Sequence, residues 1–426
     1  MDELTEQDRV ARLGAFRSPN FTWYWISQVT TNVGTWMQMV ATGWLVLQLT
    51  NSPALLGFNA VVQAVPILAF ALVGGIIADR VDRYRLTVAS YVVQIIPDAL
   101  LAWLVMTGRI EVWHVFTYSV VSATISAFAT PGRQAFIPSL VPKRDLLSAM
   151  ALNSVTWQGA AVVGPALAGV ILAIWGLPGS FNINVASDFV SLAAILAVRL
   201  PPMPPRVSQA SGWSDIREGM AFAWRDQHVR TLLISVAVVT FLARPYANFM
   251  PVFARDVFDV GPEGLGVMLT LPAVGTIVSG ALLAVAGRIP LVRTFIATAL
   301  GLAVALIAFC VTRNFPAALA LLFVVGACQS SSTTIINTVL QEVIDERIRG
   351  RVMSLFMLCT WGSWRVGSLP MGIAADLWGA PLAVGVSAAA LLALLVPMSR
   401  SRGLRGPVEQ VVATPSRAPR ELAAPG

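Results

Sequence analysis

Four charged side chains, Asp98, Asp188, Arg244 and Arg365, lie inside long apolar runs of this 426-residue chain, where a charge is costly. An ionisable group within such a run marks a substrate or proton pathway by default. Asp98 and Asp188 are the carboxylates available to a process that takes up and releases a proton in the physiological range. Arg244 and Arg365 offer fixed positive charge, suited to holding an anion or acting on a nearby carboxyl. Each also has a plainer reading: a neutral, hydrogen-bonded packing role for the acids, and a structural contact with helix-end carbonyls for the arginines.

Other chemistry is poorly supplied. His114 and His228 are far apart and no H-E-x-x-H occurs. The single lysine, Lys143, follows Pro142 instead of closing a G-x-x-x-x-G-K-[ST] phosphate loop. Cys310, Cys328 and Cys359 show no paired spacing and read as small packing residues. No Ser, His and acid cluster stands out. No metal, cofactor or catalytic centre is expected.

The elements that carry these charges follow from composition. Hydrophobic residues make up 56% and charged residues 12% of the chain, too few charges to cover a soluble surface. Twelve runs have the length and apolarity of membrane spans. They are Thr22 to Leu49, Ala54 to Ala78, Leu86 to Thr107, His114 to Leu140, Leu152 to Trp175 and Phe181 to Val198, then Thr231 to Ala254, Gly264 to Gly287, Leu291 to Val311, Pro316 to Leu340, Val352 to Ala375 and Ala380 to Met398. The fold class is therefore an all-α membrane protein. The net charge of +7 does not point to nucleic acid, because placement accounts for it. With a cytoplasmic N-terminus, 24 Lys and Arg fall on the inner side and three, Arg109, Arg255 and Arg313, outside. Positive loops stay inside, so both termini are expected in the cytoplasm. The polar start, "MDELTEQDRVARLG", has no signal-peptide pattern.

The expected organisation is an N-terminal segment, 1–21; a six-helix bundle, 22–199; a linker, 200–229; a second bundle, 230–399; and a disordered tail, 400–426. The linker opens with a Pro-rich spacer and continues as an amphipathic helix at the membrane surface, chiefly a connector. The halves are related by a weak repeat. A shift of 203 residues carries Gly164 onto Gly367 and Gly169 onto Gly372, and a shift of 208 carries Arg80 onto Arg288. Gly287 stands in place of Asp79, so that acid is unrepeated.

The segment "GGIIADRVDRYRL", Gly74 to Leu86, resembles the loop between helices 2 and 3 of the major facilitator superfamily, G-x-L-A-D-R-x-G-R-K. Gly75, Ala78, Asp79, Arg80 and Arg83 match; Asp82 stands where Gly is usual and Tyr84 where a basic residue is. "GTWMQMVATGWLVLQLTNSPALLGF" and "ATPGRQAFIPSLVPKRDLLSAMALNS" resemble its transmembrane secretion effector branch, which includes the enterobactin exporter. "GAAVVGPALAG", Gly159 to Gly169, with Gly164 and Pro165, resembles the G-P-x-x-G-G pattern of antiporters, one Gly short.

The resemblance implies two pseudo-symmetric six-helix bundles around a central cavity, alternating access, and export of a small amphipathic molecule, a drug, antibiotic or siderophore, in exchange for protons across the cytoplasmic membrane. Import or lipid flipping by the same fold, and a membrane enzyme, remain rivals. The protein is expected to act as a monomer in the bilayer. The hairpin would latch the cytoplasmic gate, with Asp79 facing the start of helix 11 near Arg349 and Arg351. Gly164 and Gly169 would form a hinge seam against Ala273, Gly275 and Gly280 of helix 8. Helices 1, 4, 7 and 10 would line the cavity, which makes Asn32, Thr35, Trp36, Gln38, Tyr118, Ser122, Ser126, Arg244, Tyr246, Asn248, Gln329 and Ser331 substrate-site candidates, with Trp361, Trp364 and Arg365 on helix 11. Helices 3 and 6, carrying Asp98 and Asp188, would be peripheral.

Overall fold

Regular structure among the described residues is helical throughout. A computed structural model describes residues 14–199, 212–287 and 289–400, without the side chains of 71–80, 212–217, 347, 399 and 400. The first part of the N-terminal segment, the Pro-rich spacer, Arg288 and the tail lie outside the described residues.

The first four membrane helices are α1 (Pro19–Thr50), α2 (Pro53–Arg80), α3 (Arg83–Met106) and α4 (Val112–Phe136). Ser18 caps α1, accepting from the Phe21 amide at 3.4 Å, and Asn51 ends it in the left-handed region at φ 50°. The next helical stretch, Leu146–Leu196, breaks at Gly176, where φ is 64°, into α5 (146–175) and α6 (177–196). A side chain rarely tolerates that φ, and Pro178 lies two residues on, so the chain turns back at this point. After the linker helix α7 (Gly212–Arg225) come α8 (Gln227–Val257), α9 (Gly261–Val285), α10 (Leu291–Val311), α11 (Phe315–Val343), α12 (346–378) and α13 (Ala380–Arg400).

Among the described residues nine helical segments are long and apolar enough to cross a membrane, and one of them is the α5 and α6 pair. α1 is not among them because polar residues, Gln28, Asn32, Gln38 and Thr42 included, lower its mean hydropathy; these four are buried. Two later helices are irregular. α8 tightens to a 3₁₀ turn over Arg244–Phe249, at Pro245, and widens to a π turn over Phe253–Val257. α12 has a π turn over Leu358–Gly362, a distortion frequent at functional sites.

The repeat read from the sequence reappears in the packing. Within the first bundle α5 approaches α1 at Gly164, where a Cβ would stand 2.5 Å from Trp36 Cβ and 3.0 Å from the Val33 carbonyl. Within the second, α12 approaches α8 at Gly367, which faces the Phe241 carbonyl. Between bundles, Gly169 meets Pro262 O and Gly266 Cα of α9, each 2.9 Å from its built Cβ. In the symmetric place Gly372 of α12 meets Pro53 O of α2 at 2.8 Å, and Gly57 of α2 abuts the Ser368 carbonyl. Glycine at these positions lets backbones touch and pack by van der Waals contact.

The seam therefore differs from the one expected. Gly275 faces Phe323 O of α11 in its own bundle, and neither Gly280 nor Gly159 has an atom within 4 Å of a built Cβ. α5 meets α9 at Gly266 and, one turn on, at Thr270, whose hydroxyl donates to the Val162 carbonyl at 3.2 Å, whereas the built Cβ positions of Gly275 and Gly280 do not face α5.

Further contacts between bundles gather at the same end, opposite the arginine-rich hairpins. Asp376 accepts from Ser52 Oγ at 2.7 Å and from the Ala54 amide at 3.2 Å. It thus caps α2 from the end of α12. Arg255 of α8 donates to Asn51 Oδ1 at 2.7 Å and to the Leu47 carbonyl at 3.4 Å. Losing an N-terminal capping carboxylate costs about 0.5–2 kcal/mol. Asp376→Ala is expected to raise the maleimide labelling rate of an Ala54→Cys reporter, which keeps both donors to Asp376, about tenfold; an unchanged rate would show that this cap does not hold the end closed.

At the arginine-rich end the hairpin residue Arg83 bonds within its own bundle. Arg83 donates to the Ala135 carbonyl at 2.7 Å. Arg351 pairs with Glu218 of α7 at 2.6 Å, and Arg349 lies 3.9 Å from Glu346 and 3.5 Å from the Ile344 carbonyl. The expected arrangement of the hairpin facing Arg349 and Arg351 is thus not seen for Arg83. Gly75, Asp79 and Arg80 lie on the last turns of α2, and the side chains of Asp79 and Arg80 are outside the described residues. The linker helix is more than a spacer: a Cβ on Gly219 would stand 3.0 Å from Arg351 Cβ, and Ala223 is buried, while Met220 and Trp224 are exposed.

Candidate substrate cavity

A cavity of about 310 Å³ lies mainly within the first bundle and reaches the second. Its size is at the low end of small-molecule sites. α1 contributes Thr35, Gln38 and Thr42; α2, Asn59 and Gln63; α4, Tyr118, Ser122 and Ser126; α8, Asn248; and α12, Trp364 and Arg365. Toward the arginine-rich end it extends to Tyr91, Ala129 and Arg133, while the glycine seams close the other end.

α3 and α6 are not peripheral, because Asp98 and Asp188 both line this cavity. Asp98, 3% exposed, accepts from Tyr118 Oη at 2.7 Å and from Gln94 Nε2 at 2.8 Å. Gln94 also donates to Ser122 at 3.1 Å, tying α3 to α4. Asp188 comes within hydrogen-bonding reach of Asp98, yet its Oδ2 receives no protein donor. Two carboxylate oxygens bond each other only through a proton.

Several other polar groups end here without a partner. Both amide atoms of Gln38, Thr42 Oγ1 and Trp364 Nε1 are buried and unpaired. Buried polar groups nearly always find partners, and each orphan costs about 1–3 kcal/mol. Four side chains with orphaned atoms lining one cavity, counting Asp188, describe a surface shaped for a ligand.

On the far wall Arg365 donates to Gln63 Oε1 at 3.0 Å, across the bundle boundary. Its guanidinium carbon lies 5.7 Å from the Trp364 ring centroid. Arg244 sits behind, 4.6 Å from Trp364 and 5.2 Å from Trp361. The 3₁₀ turn of α8 and the π turn of α12 place these groups together.

The expected site residues thus divide. Thr35, Gln38, Tyr118, Ser122, Ser126, Asn248 and Arg365 line the cavity; Asn32, Trp36, Arg244, Tyr246, Gln329, Ser331 and Trp361 do not. Trp36 packs against Trp157 with ring centroids 5.9 Å apart and planes tilted by 54°, and Asn32, Tyr246 and Ser331 are buried in packing. Gln329 and Ser331 are absent because α11 packs on α9 and α10, away from a cavity set in the first bundle. Gln63, Gln94, Thr42, Tyr91 and Arg133 line it without having been expected from sequence. Gln94, one helical turn before Asp98 and on its face, is the signal that could have revealed the α3 contribution.

Two repeat-related helical bundles, closed together at one end over a cavity with orphaned polar groups, define a membrane transporter of the major facilitator type. A solved bacterial homolog of the human lysosomal transporter Spinster, in an inward-facing and unoccupied conformation, shares the fold at TM-score 0.69 and 15% identity, over 93% of this chain and 94% of that one. The chain belongs to the transmembrane secretion effector family, whose profile matches residues 10–420. Among curated relatives it is 25% identical to the staphyloferrin A transporter of Staphylococcus aureus, covering 82% of this chain and 87% of the relative. It is 28% identical to the multidrug efflux pump Tap of Mycobacterium tuberculosis, covering 87% and 92%.

Proposed function

We propose that this protein exports small amphipathic molecules from the cytoplasm in exchange for protons. The observation that carries this reading is the Asp98 and Asp188 pair, buried side by side in the wall of a cavity whose polar groups lack protein partners. The pair keeps one proton between its carboxyls. Substrate entry displaces that proton, and reloading from the outer side resets the pair. Like charges so close cannot both be ionised in a dry site, and a polar substrate supplies the donors that Asp188 and Gln38 lack. The multidrug efflux pump among its relatives supports the outward direction, and the staphyloferrin A transporter supports a small-molecule substrate.

The protein lies in the cell membrane with both termini in the cytoplasm, by the charge asymmetry of its loops, and works as a monomer. The conformation closed at the glycine seams then opens inward. In the opposite conformation Asp79, with Arg80 and Arg83, latches the cytoplasmic end against the start of α12, a contact that biases the equilibrium by roughly tenfold.

Everted membrane vesicles provide the test. With an acidified lumen they are expected to accumulate a macrolide, a siderophore or a cationic dye, and a protonophore abolishes the accumulation. Accumulation in right-side-out vesicles instead would reverse the direction assigned.

A further inference from the structure

The far wall of the cavity holds positive charge with no counter-charge. Among the described residues neither Arg365 nor Arg244 is paired with a carboxylate: Arg365 donates to the neutral Gln63, and Arg244 rests on two indole rings. Two guanidiniums share the Trp364 ring from within about one side chain of each other. Charges taken out of water are retained only when something compensates them, and cation to ring contacts do so in part.

Beside them, Trp364 is 7% exposed and its Nε1 hydrogen has no acceptor, although the residue lines the cavity. The arrangement lacks one component, an acceptor group carrying negative charge. A guanidinium fork with an adjacent N–H matches the two oxygens of a carboxylate, and the indole faces offer a flat apolar surface for the body that bears it.

We infer that the transported molecules include amphipathic carboxylates, held by Arg365 with Trp364 and backed by the charge of Arg244. This rests on reading the cavity as the substrate site. It adds a division of labour: the anionic group docks on α12 of the second bundle, while proton exchange takes place at Asp98 and Asp188 of the first. A bound carboxylate bridges the two bundles and so reports occupancy to both.

The test is equilibrium binding of two probes of one shape, 1-naphthoate and the neutral 1-naphthamide, to full-length protein in nanodiscs of zwitterionic lipid, against empty nanodiscs. The acid is expected to bind about tenfold tighter than the amide, as a charge-assisted bond replaces a neutral one. Arg365→Gln is expected to erase that ratio, Arg365→Lys to retain part of it, and Gly280→Ala, whose added methyl meets open space, to leave it in place. Equal affinities in the wild type, no binding of either probe, or a ratio that survives Arg365→Gln would overturn the inference. The wild-type comparison decides even where a variant fails to fold. Selective binding of the acid alongside flux indifferent to a pH gradient would remove the coupling reading and leave this one. Proton-coupled export without acid preference would do the reverse.

Discussion

Replacing Asp98 by Asn is expected to cut export driven by a pH gradient by roughly a hundredfold, as removal of a positioned proton carrier does, while substrate counterflow at equal pH persists. The substitution keeps shape and the Tyr118 contact, while the Gln94 amide, which donates to Asp98 at 2.8 Å in the wild type, must turn over so that its oxygen accepts from the new amide nitrogen. In the variant the side-chain amide oxygen still accepts from Tyr118, which donates to Asp98 at 2.7 Å in the wild type. The fold and the alternating motion should therefore survive, and only the ability to carry a proton is lost. Asp188→Asn is expected to give the same split between driven flux and counterflow. Loss of counterflow in both variants would assign the pair to substrate binding or structure, and full retention of driven flux would remove it from the mechanism.

A second large effect is expected at the glycine seam. In Gly169→Val the added Cβ lies 2.9 Å from Gly266 Cα and Pro262 O, backbone atoms that cannot swing aside as a flexible side chain would. Overpacking of this kind costs about 1–3 kcal/mol. The whole cost falls on the conformation in which the two bundles meet at that end. A two-state equilibrium then moves by roughly 5- to 150-fold toward the opposite opening. A Ser52→Cys reporter at the seam end should label faster, a Ser126→Cys reporter in the cavity should label more slowly from the arginine-rich side, and transport should fall with the shift. Gly57→Leu, set against the Ser368 carbonyl, acts in the same way on the symmetry-related seam of α2 and α12. Gly159→Ala and Gly280→Ala meet open space and serve as controls with unaltered transport. Equal behaviour of all four variants would show that the close approach does not govern the conformational balance.

Much of the fold is legible in the sequence because the bilayer imposes length and apolarity on each span. The repeat is legible for a related reason. Gly164 and Gly367 each serve contact within their own bundle, and Gly169 and Gly372 each serve contact with the other, so the same packing demand preserved the same residue twice. What the sequence does not reveal is which face of an apolar helix turns inward. A run that is apolar all round carries no stripe to orient it, and Ala273, Gly275 and Gly280 therefore look as good a seam as Gly266. The placement of Asp98 and Asp188 on the cavity wall is hidden likewise. It depends on how α3 and α6 tilt against α1 and α4, and on a hydrogen bond from Tyr118 that joins residues 20 apart in sequence. Arg244 beneath the two tryptophans is hidden because the 3₁₀ turn and the π turn each rotate the remainder of their helix, and a regular period would place it elsewhere.

Proton movement coupled to substrate movement is the centre of this account, and one measurement reaches it directly. Purified protein is reconstituted into liposomes with an entrapped pH indicator, at equal pH on both sides, and substrate is added outside so that it enters down its own gradient. The account predicts that the lumen turns alkaline as substrate enters, because protons leave in exchange, and that Asp98→Asn abolishes the signal while substrate still enters. Substrate entry with no change in lumenal pH, or with acidification, would contradict it.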